Sequence, residues 1–293
     1  MTTRGMCLLL GTGLACAAAG GLAACGDDDS GGSEATNVPI TISDAGGGKF
    51  SLTAPKTVEA GVAEITLTTP PGKTAHDAQF VRVEGDHSRA EVLRFLGQEG
   101  APTPPWLFAA GGPGSTAGGK SSTVTQNLEP GKYFIVDTGE PEGDDVPSFG
   151  EQGAVSELEV TGEASDGELP KTDATITAKD FSFTTSGLEP GLNEVTFDNT
   201  GKEIHHVVIA PFAKGATFAQ VKKAFTSQGQ PTGPPPVDFT KITNLAALEG
   251  GTKQVAELDL APGKYAFVCF ISDRAGGPPH VAKGMINEVT VGS

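Results

Sequence analysis

Two stretches of the chain occur twice. Val58-Glu-Ala-Gly-Val-Ala-Glu-Ile-Thr-Leu67 aligns without a gap on Leu188-Glu-Pro-Gly-Leu-Asn-Glu-Val-Thr-Phe197, an offset of 130, and Leu128-Glu-Pro-Gly-Lys-Tyr133 aligns on Leu260-Ala-Pro-Gly-Lys-Tyr265, an offset of 132. Offsets this even describe a duplicated unit. A copy of about 120 residues can bury a core of its own, and two copies are too few for a solenoid, so the repeat implies paired globular domains. Their expected bounds are 38–161 and 172–293, with the polar stretch 162–171 as linker.

Inside each copy, Glu64-Ile-Thr-Leu67 and Glu194-Val-Thr-Phe197 alternate polar and apolar residues with the period of a half-buried strand. Pro-Gly pairs at 130–131, 190–191 and 262–263 put turns directly before apolar runs. With 41 glycines in 293 residues, short strands and many turns are favoured over long helices. One helix signal stands at the same place in each copy. Ser88-Arg-Ala-Glu91 and Thr217-Phe-Ala-Gln220 fit the capping box, ahead of the helical faces Val92, Leu93, Leu96 and Val221, Ala224, Phe225. The Pro- and Gly-rich stretches that follow, 101–119 and 230–236, read as surface loops. The expected fold is all-β: two tandem Greek-key β-sandwiches of about seven strands, each with a short helical insertion.

The N-terminus lies outside the duplication. Arg4 precedes an apolar, small-residue stretch at 6–24 that has the charged and hydrophobic regions of an export signal. It ends in Leu22-Ala-Ala-Cys25, which resembles the bacterial lipoprotein signal. That resemblance implies a signal peptide at 1–24, cleaved before Cys25, and lipidation of the Cys25 sulfur. An uncleaved membrane span is the alternative, because about 18 apolar residues can just cross a bilayer. Residues 25–37 are polar and lack apolar periodicity, so they read as a flexible tether. The expected location is the extracytoplasmic face of a cell membrane, held there by the lipid.

Cys7 and Cys16 lie in the signal and Cys25 would carry the lipid, which leaves Cys269 of the four cysteines without an intramolecular partner. A lone thiol in an oxidising compartment is either buried and inert or held by a metal. The balance of 20 basic against 36 acidic residues, a net charge of −16, repels a phosphate backbone and makes nucleic acid a poor partner.

The second copy carries Asn199-Thr-Gly-Lys-Glu-Ile-His205-His206 in its middle. Near its end stand Tyr265-Ala-Phe-Val-Cys269 and, after ten intervening residues, His280-Val-Ala-Lys-Gly-Met285. A thiolate, two imidazoles and a distant thioether are what copper takes in a trigonal site with a long axial bond. The constellation resembles the cupredoxins, the family of plastocyanin and azurin. There one histidine follows an Asn-x-Gly turn, and the other three ligands lie on and around the loop between the last two strands. The resemblance implies a cupredoxin-like fold for both copies. It also implies one type 1 copper in the second copy, with His205 as strand ligand, Cys269 as thiolate, His280 as second imidazole and Met285 as axial ligand. His206 reads as exposed or supporting, because adjacent strand residues point to opposite faces, and it would replace His205 if the register moved by one. The Cys269–His280 loop is longer than in plastocyanin-like sites, and Gly276, Gly277, Pro278 and Pro279 supply the turns to fold it back. Without a metal, Cys269 and Met285 would be packed core and His280 a loop histidine.

The first copy has His76, Asp137, Phe149 and Ala154 at the matching positions. Three of four ligands are missing, so no blue copper is expected there. His87, in a polar stretch, reads as solvated. The function expected is electron transfer to or from a redox partner protein by a membrane-anchored copper protein. Copper capture or delivery, and a metal-free interaction module, are the alternatives. Catalysis is not expected, because the chain has five histidines and none of the His-x-His pairs from which trinuclear copper clusters are built.

Overall fold

The computed structural model describes residues 35–141, 146–165, 167–227 and 233–292. The expected signal peptide, Cys25 and most of the tether lie outside the described residues. No helix among the described residues is long and apolar enough to cross a membrane.

The first half runs β1 (Thr36–Asp44), β2 (Phe50–Thr53), β3 (Thr57–Glu59), β4 (Gly61–Thr68), β5 (Gln79–Val83), α1 (Arg89–Leu96), β6 (Leu107–Ala109), β7 (Ser121–Leu128), β8 (Gly131–Val136) and β9 (Val155–Thr161). The second half repeats the order without a counterpart of β3: β10 (Ala174–Lys179), β11 (Ser182–Ser186), β12 (Gly191–Asn199), β13 (His205–Pro211), α2 (Phe218–Thr226), β14 (Thr243–Leu248), β15 (Lys253–Leu260), β16 (Gly263–Val268) and β17 (Ile286–Val291). Each half is a sandwich. One sheet has the order β2-β1-β4-β7 or β11-β10-β12-β15, and the facing sheet β3-β9-β8-β5-β6 or β14-β13-β16-β17. In both halves the first strand pairs parallel with the strand after the hairpin, β1 with β4 and β10 with β12. The fold class is the expected one, all-β tandem sandwiches with one helix inserted in each.

Side-chain alternation drives this arrangement. β4 turns Ala63, Ile65 and Leu67 inward, and β12 turns Val195 and Phe197 inward, each with a more exposed residue between. Burying a residue such as Leu67 or Phe197 contributes roughly 1.5–3 kcal/mol relative to leaving it exposed. The repeated Pro-Gly-Lys-Tyr motif has a second role. The Tyr133 hydroxyl donates to the Glu129 carbonyl at 2.8 Å and the Tyr265 hydroxyl to the Ala261 carbonyl at 2.7 Å, so in each half the tyrosine closes the turn that precedes its own strand. Both helices carry the full reciprocal capping box, Ser88 with Glu91 and Thr217 with Gln220, and bury Val92 and Val221.

The halves are not beads on a linker. β7 pairs antiparallel with β15, Gln126 opposite Gln254, so the two inner sheets fuse into one eight-stranded sheet. Both glutamines are buried, and both Oε1 atoms accept from the same Gly112 N–H, at 2.9 and 3.0 Å. Gln79 adds a second tie, accepting from the Ala247 N–H at 2.7 Å and donating to its carbonyl at 3.1 Å. The segment 101–119, expected as a surface loop, therefore contains strand β6 and the junction between the halves. Its glycines are there for close approach: at Gly112, with φ +112°, an added Cβ would lie 2.1 Å from the Ala78 carbonyl oxygen. The stretch 230–236 lies partly outside the described residues. His87, expected in solvent, instead stacks on Trp106 with ring centroids 3.7 Å apart, because the pairing of β5 with β6 brings their flanking residues together.

Gly112→Ala is expected to destabilise the protein by about 3 kcal/mol, from backbone overlap and a strained φ together. Chemical denaturation of the full chain checks this, and an unchanged midpoint would mean Gly112 is not packed tightly against the Ala78 backbone.

Candidate metal centre

His205 opens β13, four residues after an Asn-x-Gly turn that the side chain of Asn199 builds. Its Nδ2 donates to the carbonyls of Glu203 and Leu248, both at 2.9 Å, while its Oδ1 accepts from the Gly201 N–H at 3.1 Å. Glycine is required at 201, since a Cβ there would stand 2.3 Å from Asp180 Oδ1 and 3.1 Å from His205 Nε2. Cys269 directly follows β16. The long loop after it folds back fully: the His280 N–H donates to the Ile271 carbonyl at 2.8 Å and the Val281 N–H to the Cys269 carbonyl at 2.8 Å. Met285 is joined to both, with the Cys269 N–H on its carbonyl at 3.2 Å and its own N–H on the His280 carbonyl at 2.9 Å. All four residues are fully buried.

Three donor atoms converge. Cys269 Sγ lies 3.7 Å from His205 Nδ1 and 3.5 Å from His280 Nδ1, and the two Nδ1 atoms are 3.0 Å apart. A point equidistant from all three lies about 2 Å from each, the length of a metal–imidazole bond and a few tenths of an ångström short of a metal–thiolate bond.

The opposite ring nitrogens decide what these atoms can do. His205 Nε2 sits 3.0 Å from Asp180 Oδ1, and His280 Nε2 sits 3.1 Å from Asp273 Oδ1. A carboxylate accepts only, so each neutral ring carries its proton on Nε2 and presents a bare lone pair at Nδ1. Two lone pairs facing each other at 3.0 Å repel unless a cation lies between them. The donor set thus fits a soft-to-borderline metal ion.

Burial favours the neutral forms. It lowers the His280 imidazole to about 4, with repulsion from His205 adding to it and Asp273 opposing, and it lowers His205 against the pull of Asp180. Burial also pushes the Cys269 thiol up to about 12, so metal binding must displace that proton. Asp180 is held below the usual carboxylate range: partial burial pushes it up, but bonds from His205 and the N–H groups of Lys202 and Glu203 outweigh this. Asp273 is likewise lowered, by its pairing with Lys283. Asp180, Asp273 and Lys283 went unmarked in the sequence, because isolated surface acids and lysines carry no spacing signal.

His206, one residue from His205, points away from the donors. Its Nε2 accepts from the Phe270 N–H at 2.9 Å, and burial lowers its imidazole to about 4.

The first half keeps the frame and changes the side chains. The Asp137 N–H donates to the Ala154 carbonyl at 3.0 Å, Ala154 N–H to Phe149 at 2.9 Å and Gly150 N–H to Asp137 at 2.8 Å, the same three bonds as at Cys269, Met285 and Val281. Here His76 Nδ1 meets Asp137 Oδ2 directly at 2.6 Å, and the Phe149 ring packs on the imidazole with centroids 4.5 Å apart. A direct hydrogen bond and an aromatic ring fill the space where the second half gathers three donors.

No protein-family model matches the chain, and no curated protein sequence matches it. Among solved structures it is similar to auracyanin B, at 21% identity over 43% of this chain and 92% of that one, TM-score 0.26. It is also similar to auracyanin from Roseiflexus castenholzii, at 26% identity over 41% of this chain and 95% of that one, TM-score 0.26. A copper nitrite reductase from Nitrosomonas europaea aligns with 88% of this chain and 94% of its own at 14% identity, TM-score 0.27. All three are cupredoxin-fold proteins. The superpositions are loose, and the fold class rests on the strand order and register above.

Burial, with the Asp137 carboxylate beside it, raises the Asp77 carboxyl to about 7, against bonds from Thr138. A folded value above the unfolded one, about 4, means stabilisation that is complete below about pH 4 and lost as the pH rises through about 7. Asp77→Asn is therefore expected to flatten the decline of the urea midpoint between about pH 4 and pH 7. An unchanged pH profile would remove Asp77 from the balance.

Proposed function

We propose that the second half binds one copper ion as a type 1 centre and that the protein transfers electrons. The observation that carries this reading is the convergence of His205 Nδ1, His280 Nδ1 and Cys269 Sγ within 3.0–3.7 Å, with both Nε2 protons engaged by carboxylates. Bound copper would supply reversible one-electron exchange between Cu(II) and Cu(I). The chain's own part would be to hold the tautomers, exclude water and offer the Met285 thioether as a further, weaker donor. Full burial of all four side chains favours an ion that is retained over one that is handed on, which sets electron transfer above capture or delivery.

On this reading the protein is not an enzyme. The remaining histidines are engaged elsewhere: His76 with Asp137, His87 on Trp106 and His206 with the Phe270 N–H. The lipoprotein-like N-terminus supports anchoring of the domains 38–161 and 172–293 to the extracytoplasmic face of a membrane, within reach of a redox partner protein.

Full-length protein reconstituted with Cu(II) is expected to hold one copper and to show an intense visible charge-transfer band. Cys269→Ser should abolish the band. Asp273→Ala should keep it while weakening copper retention roughly 10- to 100-fold. A colourless wild-type protein would overturn the copper reading and leave the metal-free interaction module.

Cys25→Ser is expected to release the protein from membranes or stall its processing, read by fractionation and mass spectrometry. Unmodified Cys25 in the wild type would overturn the anchor.

A further inference from the structure

A cavity of about 590 Å³ lies between the two halves. Leu96 and Leu107 come to it from the first half, and Ile204, His206, Phe270 and Pro279 from the second. Two large apolar side chains at this cavity are open to solvent, Leu96 at 36% and Phe270 at 38%. Three of its residues are chain neighbours of the three converging donors: His206 follows His205, Phe270 follows Cys269 and Pro279 precedes His280.

Its chemistry is selective. Among the described residues no lysine or arginine lines it and Glu99 is its one charged group, so nothing in it would compensate an anionic ligand. The volume lies within the range of sites that enclose a small organic molecule, about 300–1,000 Å³. His206 supplies the polar handle. Because its Nε2 accepts from the Phe270 N–H, the neutral ring carries its proton on Nδ1, which makes no hydrogen bond among the described residues. A largely apolar slot with the His206 N–H as donor, and with Gln98 and Thr103 as further polar groups in its lining, suits a flat ring that bears carbonyl oxygens.

We propose that this cavity is a binding site for an uncharged, quinone-type ring, its carbonyl oxygen accepting from His206 Nδ1–H and its faces packed between Leu96 and Phe270. The site does not depend on copper, so it can be tested on metal-free protein, and failure of the copper reading would leave it standing.

Duroquinone is a suitable probe, because its fully methylated ring leaves no open position for addition of the Cys269 thiol. Trp106, the one tryptophan of the chain, adjoins the cavity residue Leu107 and reports binding by fluorescence quenching. Metal-free full-length protein is expected to give saturable quenching. Leu96→Asp should weaken it at least about tenfold, by placing a charge against the ring, and His206→Phe several-fold, by removing the donor. Anthraquinone-2-sulfonate, a charged ring, should bind at least about tenfold more weakly than duroquinone. Amide shifts in NMR spectra should concentrate at 95–109 and 270–279, which tests the site without any substitution. Linear quenching, equal affinity in both variants, equal binding of the sulfonate, or shifts centred elsewhere would each overturn the proposal.

Discussion

The shared hydrogen bonding of Gln126 and Gln254 at the Gly112 N–H holds this architecture together. A buried backbone N–H must be paired, and here one donor is satisfied by a glutamine from each half. Breaking either contact leaves a buried amide oxygen short of a partner, so the halves are bound by polar satisfaction as well as by apolar burial. The consequence is a fused eight-stranded sheet, which sets how β14 of the second half stands against β5 and β6 of the first. Arg274 reinforces the junction, donating to Glu249 and to the Leu107 carbonyl from the loop that carries His280. The loop that completes the donor set is thus braced partly by the half that lacks one.

Duplication left two copies of one backbone frame with opposite solutions to the same electrostatic problem. In the first half, a histidine nitrogen and a carboxylate oxygen satisfy each other at 2.6 Å and an aromatic ring fills the rest. In the second, both imidazoles are satisfied at their outer nitrogens, by Asp180 and Asp273, so their inner nitrogens cannot satisfy each other. Moving the carboxylates from inside the cluster to its outer edge is what turns a self-contained pair into a set of donors that calls for a cation.

Much of this was legible in the primary structure. The even offsets between the copies show the duplication, the period of two shows the strands, and the capping boxes place both helices, because each of these signals is local. The choice of His205 over His206 follows from alternation along a strand, and both side chains take the faces expected. The candidate residues 205, 269, 280 and 285 come from the resemblance to the cupredoxins, and the offset between the copies then assigns their counterparts at 76, 137, 149 and 154.

Tertiary structure decided what depends on residues distant in the chain. Asp180 and Asp273 matter because they approach the outer nitrogens of His205 and His280, and an isolated acidic residue carries no pattern that announces such a partner. The segment 101–119 has the composition of a loop, yet Gly111 and Gly114 stand where an added Cβ would meet Gln254 and the Asn244 backbone of the other half, a requirement set by what they meet. Likewise, Gln126 and Gln254 look like ordinary strand residues until pairing of β7 with β15 buries them around one N–H. Local periodicity determines which elements form and which way their side chains face; only packing decides which of those side chains must satisfy one another away from water.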